Sequence, residues 1–333
     1  MRREYSYLIM MAVYNGEKYI RQQLDSILNQ TVTNWKLIIQ DDGSKDGTCE
    51  IVQEYIDRDG RISLIKNETT NHGPYQNFNI LINKCRKMQA CDFYLFCDQD
   101  DIWDDNKLEV FTDFYIDLQA RKDIPVLIYG DMRIVDGENK LLFRSLNEQD
   151  RIERSPMSLF FDASVWGCNF FFNKALFFDI VEIPDNSKRV WGHDQYLAKW
   201  AAIKGSFIFM ASQTMSYRRH NANVTSDHQF EVKSSRIIQR IKKIDQLAFD
   251  HAVGYKSSLH ALRQIEKTKL SENEQKLVRD IYMCIERGGL RGIYHFAKYH
   301  ISLGRNVRTI SHELILVLGM HKKHMKLSFD EEM

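Results

Sequence analysis

The sequence predicts an α/β fold built on a mostly parallel central sheet flanked by helices, with a helical C-terminal extension. Three observations predict it. Near-continuous apolar runs at Tyr7–Val13 and Phe93–Cys97 read as strands buried on both faces. Apolar residues at helical spacing (Ile20, Leu24, Ile27, Leu28) follow the first run after an Asn15-Gly16 start. The strand-then-helix alternation then repeats at a spacing that suits parallel strands joined by crossover helices.

In order, the pattern gives strands at 7–13, 36–40, 62–65 and 93–97. Helices fall between them, one capped by Asp46 with Ile51, Val52, Tyr55 and Ile56 inward, another over 75–86. A further helix is expected to begin near Asp104. Short strands follow at 126–129, 169–172 and 207–210, mixed with short helices. Beyond about residue 232 the chain reads as mainly helical and rich in Lys and Arg. This divides it into a catalytic-type domain over 1–230 and a basic helical region over 231–333, for membrane or subunit contact.

The net charge of +1 conceals an asymmetry: residues 231–333 carry 19 Lys+Arg against 12 Asp+Glu, leaving the rest acidic. A basic tail behind an acidic body points to an anionic partner such as phospholipid headgroups or nucleic acid. No apolar run is long enough to span a bilayer. The first apolar stretch runs straight into Tyr14-Asn15-Gly16, as a strand does and a secretory signal does not. The six cysteines form no C-x-x-C pair and sit in apolar runs, which fits buried thiols in a reducing, cytoplasmic compartment.

Ligands of such sheets gather at the carboxyl ends of the strands, where the polar clusters fall. Asp98-Gln99-Asp100-Asp101 sets three carboxylates directly after an apolar strand. Mg²⁺ is held by one or two carboxylates plus substrate phosphates, so the segment suits a metal-diphosphate; alone, it equally suits a solvated acidic turn. Asp41 ends another strand, where it suits the imide N–H of a pyrimidine base, with Tyr14 placed to stack on that base. In Trp191-Gly192-His193-Asp194-Gln195, Asp194 suits a general base on a substrate hydroxyl, though a helix cap is the bland alternative. Tyr217-Arg218-Arg219-His220-Asn221-Ala222-Asn223 offers cationic and imidazole groups for a diphosphate and a metal. Dinucleotide, P-loop, serine hydrolase and zinc protease signatures are absent.

Taken together, these segments resemble the bacterial family 2 glycosyltransferases, which have the GT-A fold. The resemblance runs through Met11-Ala12-Val13-Tyr14-Asn15-Gly16-Glu17, Gln40-Asp41-Asp42-Gly43-Ser44, Asn77-Phe78 and Cys97-Asp98-Gln99-Asp100-Asp101-Ile102-Trp103, over roughly residues 5–225. The forms C-D-Q-D-D-I-W, W-G-H-D-Q and Y-R-R-H-N-A-N are most similar to rhamnosyltransferases of cell-surface polysaccharide synthesis.

The resemblance implies inverting transfer of a sugar, L-rhamnose from dTDP-L-rhamnose in the leading reading, to a hydroxyl of a lipid-linked saccharide. A UDP-hexose donor is the alternative, and a sugar nucleotidyltransferase is a weaker one. It assigns Ala12, Tyr14, Glu17, Asp41, Asn77, Asp98, Gln99 and Arg218 to the donor. Asp98, Asp100 and His220 take the metal, Mg²⁺ or Mn²⁺, and Asp194 is the catalytic base. Trp191, His193 and Asp101 are supporting or acceptor-side residues. Two departures stand out: His193-Asp194 replaces the Glu-Asp of many relatives, and Q-x-x-R-W with membrane spans is missing, so one sugar per encounter is expected. The expected setting is the cytoplasmic face of the inner membrane, with a possible homodimer and no nucleic acid: the basic residues accompany no reader motif.

Overall fold

The first apolar run forms the middle of the molecule's sheet. In the computed structural model β1 (Tyr7–Val13) lies between β2 (Trp35–Asp41) and β4 (Phe93–Cys97), parallel to both, and β3 (Ile62–Lys66) is parallel to β2. The helices between them are α1 (Ile20–Leu28), α2 (Thr48–Ile56) and α3 (Pro74–Cys85). Because β1 and β4 are covered on both faces, Ile9, Met10, Met11, Leu95 and Cys97 are essentially inaccessible to solvent. The residues described are 4–119, 121–150, 155–161, 165–180, 192–221, 223, 244–299, 301 and 313–326.

The second half of the sheet is mixed. After β5 (Ile102–Trp103) and α4 (Lys107–Asp117) come β6 (Val126–Val135), β7 (Leu141–Phe143), α5 (Leu146–Asp150), β8 (Phe170–Asn173), α6 (Lys174–Asp179), α7 (His193–Lys204) and β9 (Ser206–Arg218). The strand order is β3-β2-β1-β4-β8-β6-β9-β5, with β7 on β6. β8 is antiparallel to β4 and β6, while β6 and β9 are parallel. Thus the sheet is mostly parallel where β1 to β4 build it, and reverses direction around β8.

Three expectations shift. The strands expected at 126–129 and 207–210 run on to Val135 and Arg218, because β6 and β9 stay paired through irregularities near Gly130 and Asp131. Asp46 is not the cap of α2: Gly47 holds that position, and Asp46 accepts from the Thr48 N–H at 3.1 Å. The helix expected near Asp104 begins at Lys107, with Asp104 instead paired to Arg133.

The chain divides into two compact units. One comprises Met1–Glu148, Trp166–Leu197 and Gly205–Val224 and contains the whole sheet; the other comprises Gln149–Val165, Ala198–Lys204 and Thr225–Met333. The boundary expected near residue 230 lies outside the described residues. In the second unit the helix Ile244–Ile265 buries Ala248, Ala252, Tyr255, Leu259 and Leu262, one stripe at helical spacing. Ser271 and Glu274 form a capping box at the start of Glu272–Tyr282. Among the described residues no helix is long and apolar enough to cross a membrane. All six cysteines are free, and five are buried.

One close approach tests this architecture. A Cβ on Gly205 would lie 1.9 Å from the Pro125 carbonyl oxygen, which accepts the Ser206 N–H at 2.9 Å where β9 starts. Backbone cannot yield there, so Gly205→Ala is expected to cost about 2 kcal/mol or more, read from urea unfolding midpoints.

Candidate active site

Parallel register aligns the carboxyl ends of three strands. Val13 pairs with Asp41 and Met11 with Cys97, so Tyr14, Asp41 and Asp98 leave the sheet along one edge. Ala12 stands beside Gln40 on the same register. There the loops lock together: Asn15 adopts a positive φ of 47°, and its N–H donates to Ser44 Oγ (3.0 Å) while its Oδ1 accepts from the Lys45 N–H (2.8 Å). Gly16 N–H donates to Thr48 Oγ1, and the Gly47 N–H donates to Glu17 Oε2 at 2.6 Å.

Several residues expected to touch a donor also hold the loops in place. Gln99 receives the Tyr14 N–H on Oε1 (2.9 Å) and donates from Nε2 to the Tyr14 carbonyl (3.0 Å), a two-bond clamp. A Cβ on Gly16 would sit 2.4 Å from that Oε1, so glycine makes the clamp possible. Asn77 is buried, its side chain exchanging bonds with Gln40 (2.7 and 3.0 Å), which pins α3 to β2. Glu17 acts as the brace of Gly47.

Arg218 requires the clearest correction. It is 1% exposed, and its guanidinium donates to the Asp100 carbonyl (2.7 Å), the Gly137 carbonyl (3.3 Å), Asn139 Oδ1 and Gln22 Oε1 (2.6 Å), with Tyr19 beneath it at 4.5 Å. Those partners take four of its five N–H donors. The next residue, Arg219, lines the open cavity instead.

Asp41 is buried and accepts from the Gly43 N–H (3.1 Å) and Ser44 N–H (3.0 Å), leaving acceptor capacity for a further donor. Tyr14 is 51% exposed above it, its ring open to stacking.

The acidic segment divides by environment. Burial, then the charges of Asp100 and Asp194, push Asp98 up to about 7. Burial, then Asp100 and Asp98, push Asp101 well above the usual carboxylate range. Asp101 is fully buried, with Oδ1 on the Arg218 N–H (3.1 Å) and Oδ2 unpartnered among the described residues. Asp100 meets His220, Oδ2 to Nε2 at 2.7 Å, and His220 stacks on Tyr19 at 4.8 Å. Ligand atoms of Asp98, Asp101 and Cys168 lie within 4.8 Å of one another. Repelling carboxylates and an orphaned buried oxygen fit a hard divalent cation.

Two further groups had no sequence signal. Lys107 is fully buried, its Nζ donating to Asn169 Oδ1; burial lowers it to about 8. A lysine opening a helix reads as solvated, and only the fold carries it beneath the acids. Cys168, in the short 3-10 turn Gly167–Asn169 that leads into β8, is likewise placed beside Asp98 and Asp101 by the fold rather than by any motif.

Asp194 opens α7, and its carboxylate accepts from the Gln195 N–H (2.7 Å) and Gly167 N–H (3.3 Å). His193 is packed between Phe78 (3.9 Å, stacked) and Phe96 (4.5 Å, edge-on), with neither ring nitrogen bonded among the described residues. Trp191 lies outside the described residues. A cavity of about 860 Å³ opens beside the acidic segment, lined by Tyr14, Lys18, Tyr19, Asp100, Arg219 and His220 among others.

The family described as Glycosyl transferase family 2 matches residues 8–180, more than half of the chain, and the protein belongs to it: it is a family 2 glycosyltransferase, an enzyme of the nucleotide-sugar-using class. Among its relatives is the dTDP-rhamnosyl transferase RfbG of Shigella flexneri, 26% identical over 238 residues, 68% of this chain and 78% of that protein. The UDP-Glc:alpha-D-GlcNAc-diphosphoundecaprenol beta-1,3-glucosyltransferase WfgD of Escherichia coli is 33% identical over 136 residues, 41% of this chain and 49% of that one. In fold, the chain is similar to S. aureus TarS 1-349 in complex with UDP-GlcNAc (TM-score 0.53, 16% identity, covering 96% of this chain and 90% of TarS 1-349).

The setting of His193 gives a pH test. Burial lowers its pKa from 6.5 to about 3. As pH falls below 6.5 the unfolded chain takes up this proton and the folded chain does not, so stability drops by up to about 1.4 kcal/mol per pH unit. His193→Phe, which keeps the ring stack, is expected to remove that share of acid lability without changing stability above pH 7. Melting curves from pH 7.5 to 4 measure it.

Proposed function

We propose that the protein catalyses inverting, metal-dependent transfer of a sugar from a nucleotide diphosphate donor to a hydroxyl of a lipid-linked saccharide, in cell-surface polysaccharide synthesis. The observation that carries this is the convergence of the Asp100–His220 pair, the Asp98/Asp101 carboxylates and Asp194 at one end of the sheet. L-Rhamnose from dTDP-L-rhamnose is the leading donor, supported by the extent of the similarity to RfbG. A UDP-hexose donor is the second reading, supported by the similarity to WfgD; uracil and thymine present the same imide edge to Asp41.

Asp98, Asp100 and His220 would hold Mg²⁺ or Mn²⁺, which supplies positive charge to the diphosphate as it leaves. Arg219 takes the cationic role first given to Arg218. Tyr14 stacks on the base, and Asp41 accepts its imide N–H. The acceptor oxygen forms its bond to the anomeric carbon from the side opposite the diphosphate, while the carbon–oxygen bond to the diphosphate breaks. The acceptor proton passes to Asp194, whose two backbone N–H bonds aim the carboxylate.

A membrane surface is the proposed setting of the acceptor. In the second unit Leu290, Tyr294 and Leu318 are 84, 62 and 62% exposed, in a stretch that carries Arg287, Arg291, Lys322 and Lys323. Apolar side chains interleaved with cations suit an anionic leaflet.

Asp194→Asn should retain donor binding and lose transfer by at least about 100-fold; transfer near the wild-type rate would refute the base assignment. Asp100→Ala should make donor affinity insensitive to chelator. A calorimetric titration showing the same metal-linked affinity as wild type would reject Asp100 as a ligand.

A further inference from the structure

Tyr75 is a large aromatic that the fold exposes beside the proposed base. It stands at the second position of α3, after Pro74, and is 42% exposed. Its backbone is fixed on both sides. Gly73, at φ 113°, donates its N–H to Asp42 Oδ2 at 2.7 Å, and Asn77 is locked to Gln40. Asp42 also receives Asn67 Nδ2 (2.7 Å) and meets His72 Nδ1 (3.0 Å), so the loop before Tyr75 is tied down as well. No hydrogen-bond partner of the Tyr75 hydroxyl is found among the described residues, so hydrogen bonding within the protein does not account for a tyrosine here.

Gly192 fixes where the ring sits relative to the carboxylate. A Cβ on Gly192 would lie 2.2 Å from Asp194 Oδ1 and 3.3 Å from Tyr75 Cε1. The two atoms are therefore no farther apart than the sum of those distances. The lack of a side chain at Gly192 keeps space between ring and carboxylate. Burial, followed by the charge of Asp194, raises the Tyr75 phenol above its usual range, in keeping with that proximity.

We propose that Tyr75 is the acceptor platform: its exposed ring packs against the C–H face of the acceptor sugar and presents a hydroxyl to Asp194. The assignment rests on the glycosyl-transfer reading and names a specificity-determining residue within it. A pyranose has one face of C–H groups ringed by hydroxyls, so an aromatic plane beside a carboxylate binds the face and orients the rim. Tyr75 takes no proton and touches no donor atom; its contribution is to acceptor affinity and orientation.

The test uses full-length protein with Mn²⁺, UDP-glucose and dTDP-L-rhamnose as donors, and a panel of methyl glycosides plus a short-chain N-acetylglucosaminyl diphosphate lipid as acceptors. Tyr75→Ala should raise acceptor KM about tenfold and leave acceptor-independent donor hydrolysis unchanged; Tyr75→Phe should stay within about twofold of wild type. An unchanged acceptor KM in Tyr75→Ala overturns the platform and leaves the glycosyltransferase reading intact. Equal loss of hydrolysis and transfer in Tyr75→Ala also overturns it, since the residue would then serve the donor or the fold. Wild-type hydrolysis with no transfer to any saccharide of the panel counts against a saccharide subsite. Wild-type protein that consumes neither donor removes the underlying reading and the platform with it.

Discussion

Three carboxylates at the end of one buried strand set the terms for the rest of the site. Asp98, Asp100 and Asp101 occupy four consecutive positions with Gln99, and burial together with the charge of Asp100 raises the proton affinity of Asp98 and Asp101. The chain meets this with groups drawn from distant segments. His220 reaches Asp100, the Arg218 N–H reaches Asp101, and Lys107 lies buried below. What remains unbalanced is the Asp98–Asp101 side and one bare oxygen, next to the Asp100–His220 pair.

The same four residues also have a mechanical part. Gln99, between the acids, turns back to grip both polar atoms of the Tyr14 peptide. Asn15, Gly16 and Glu17 are in turn bonded to the 44–48 loop. The loop after β1, the loop after β2 and the acidic segment after β4 therefore form one braced rim. Such bracing holds a cleft in working geometry before a ligand arrives, which lowers the ordering cost of binding. Arg218 extends it: with its donors on Asp100, Gly137, Asn139 and Gln22, it ties β9 to the rim.

Much of the first half was legible because burial on both faces leaves a plain trace in sequence. β1 and β4 fall where their apolar runs predict them, and α3 is displaced by a single residue. Polar clusters at the strand ends followed from topology alone. The longer reach of β6 and β9 was hidden, because Gly130 and Asp131 interrupt the apolar run while pairing continues through an irregularity. Arg218 and Arg219 look equivalent in sequence. β9 ends at the buried Arg218, and Arg219 stands just beyond it at the cavity, a difference that residue type does not record.

By itself, then, the sequence determined the α/β class, the edge at which polar groups gather, and the acidic, imidazole and basic residue types found there. Those properties follow from local periodicity and from residues adjacent in the chain. Only the tertiary structure decided which polar side chains brace the rim and which face the cavity. It set the buried Asn77 and Arg218 as braces, left Tyr14 and Arg219 lining the cavity, and brought Lys107 and Cys168 close to the acids. It also set Tyr75 beside Asp194 across the gap at Gly192. The physical reason is that a hydrogen bond or a buried charge is a relation between two groups, and the partners here lie scores of residues apart. No local pattern records such a pairing until the chain has folded.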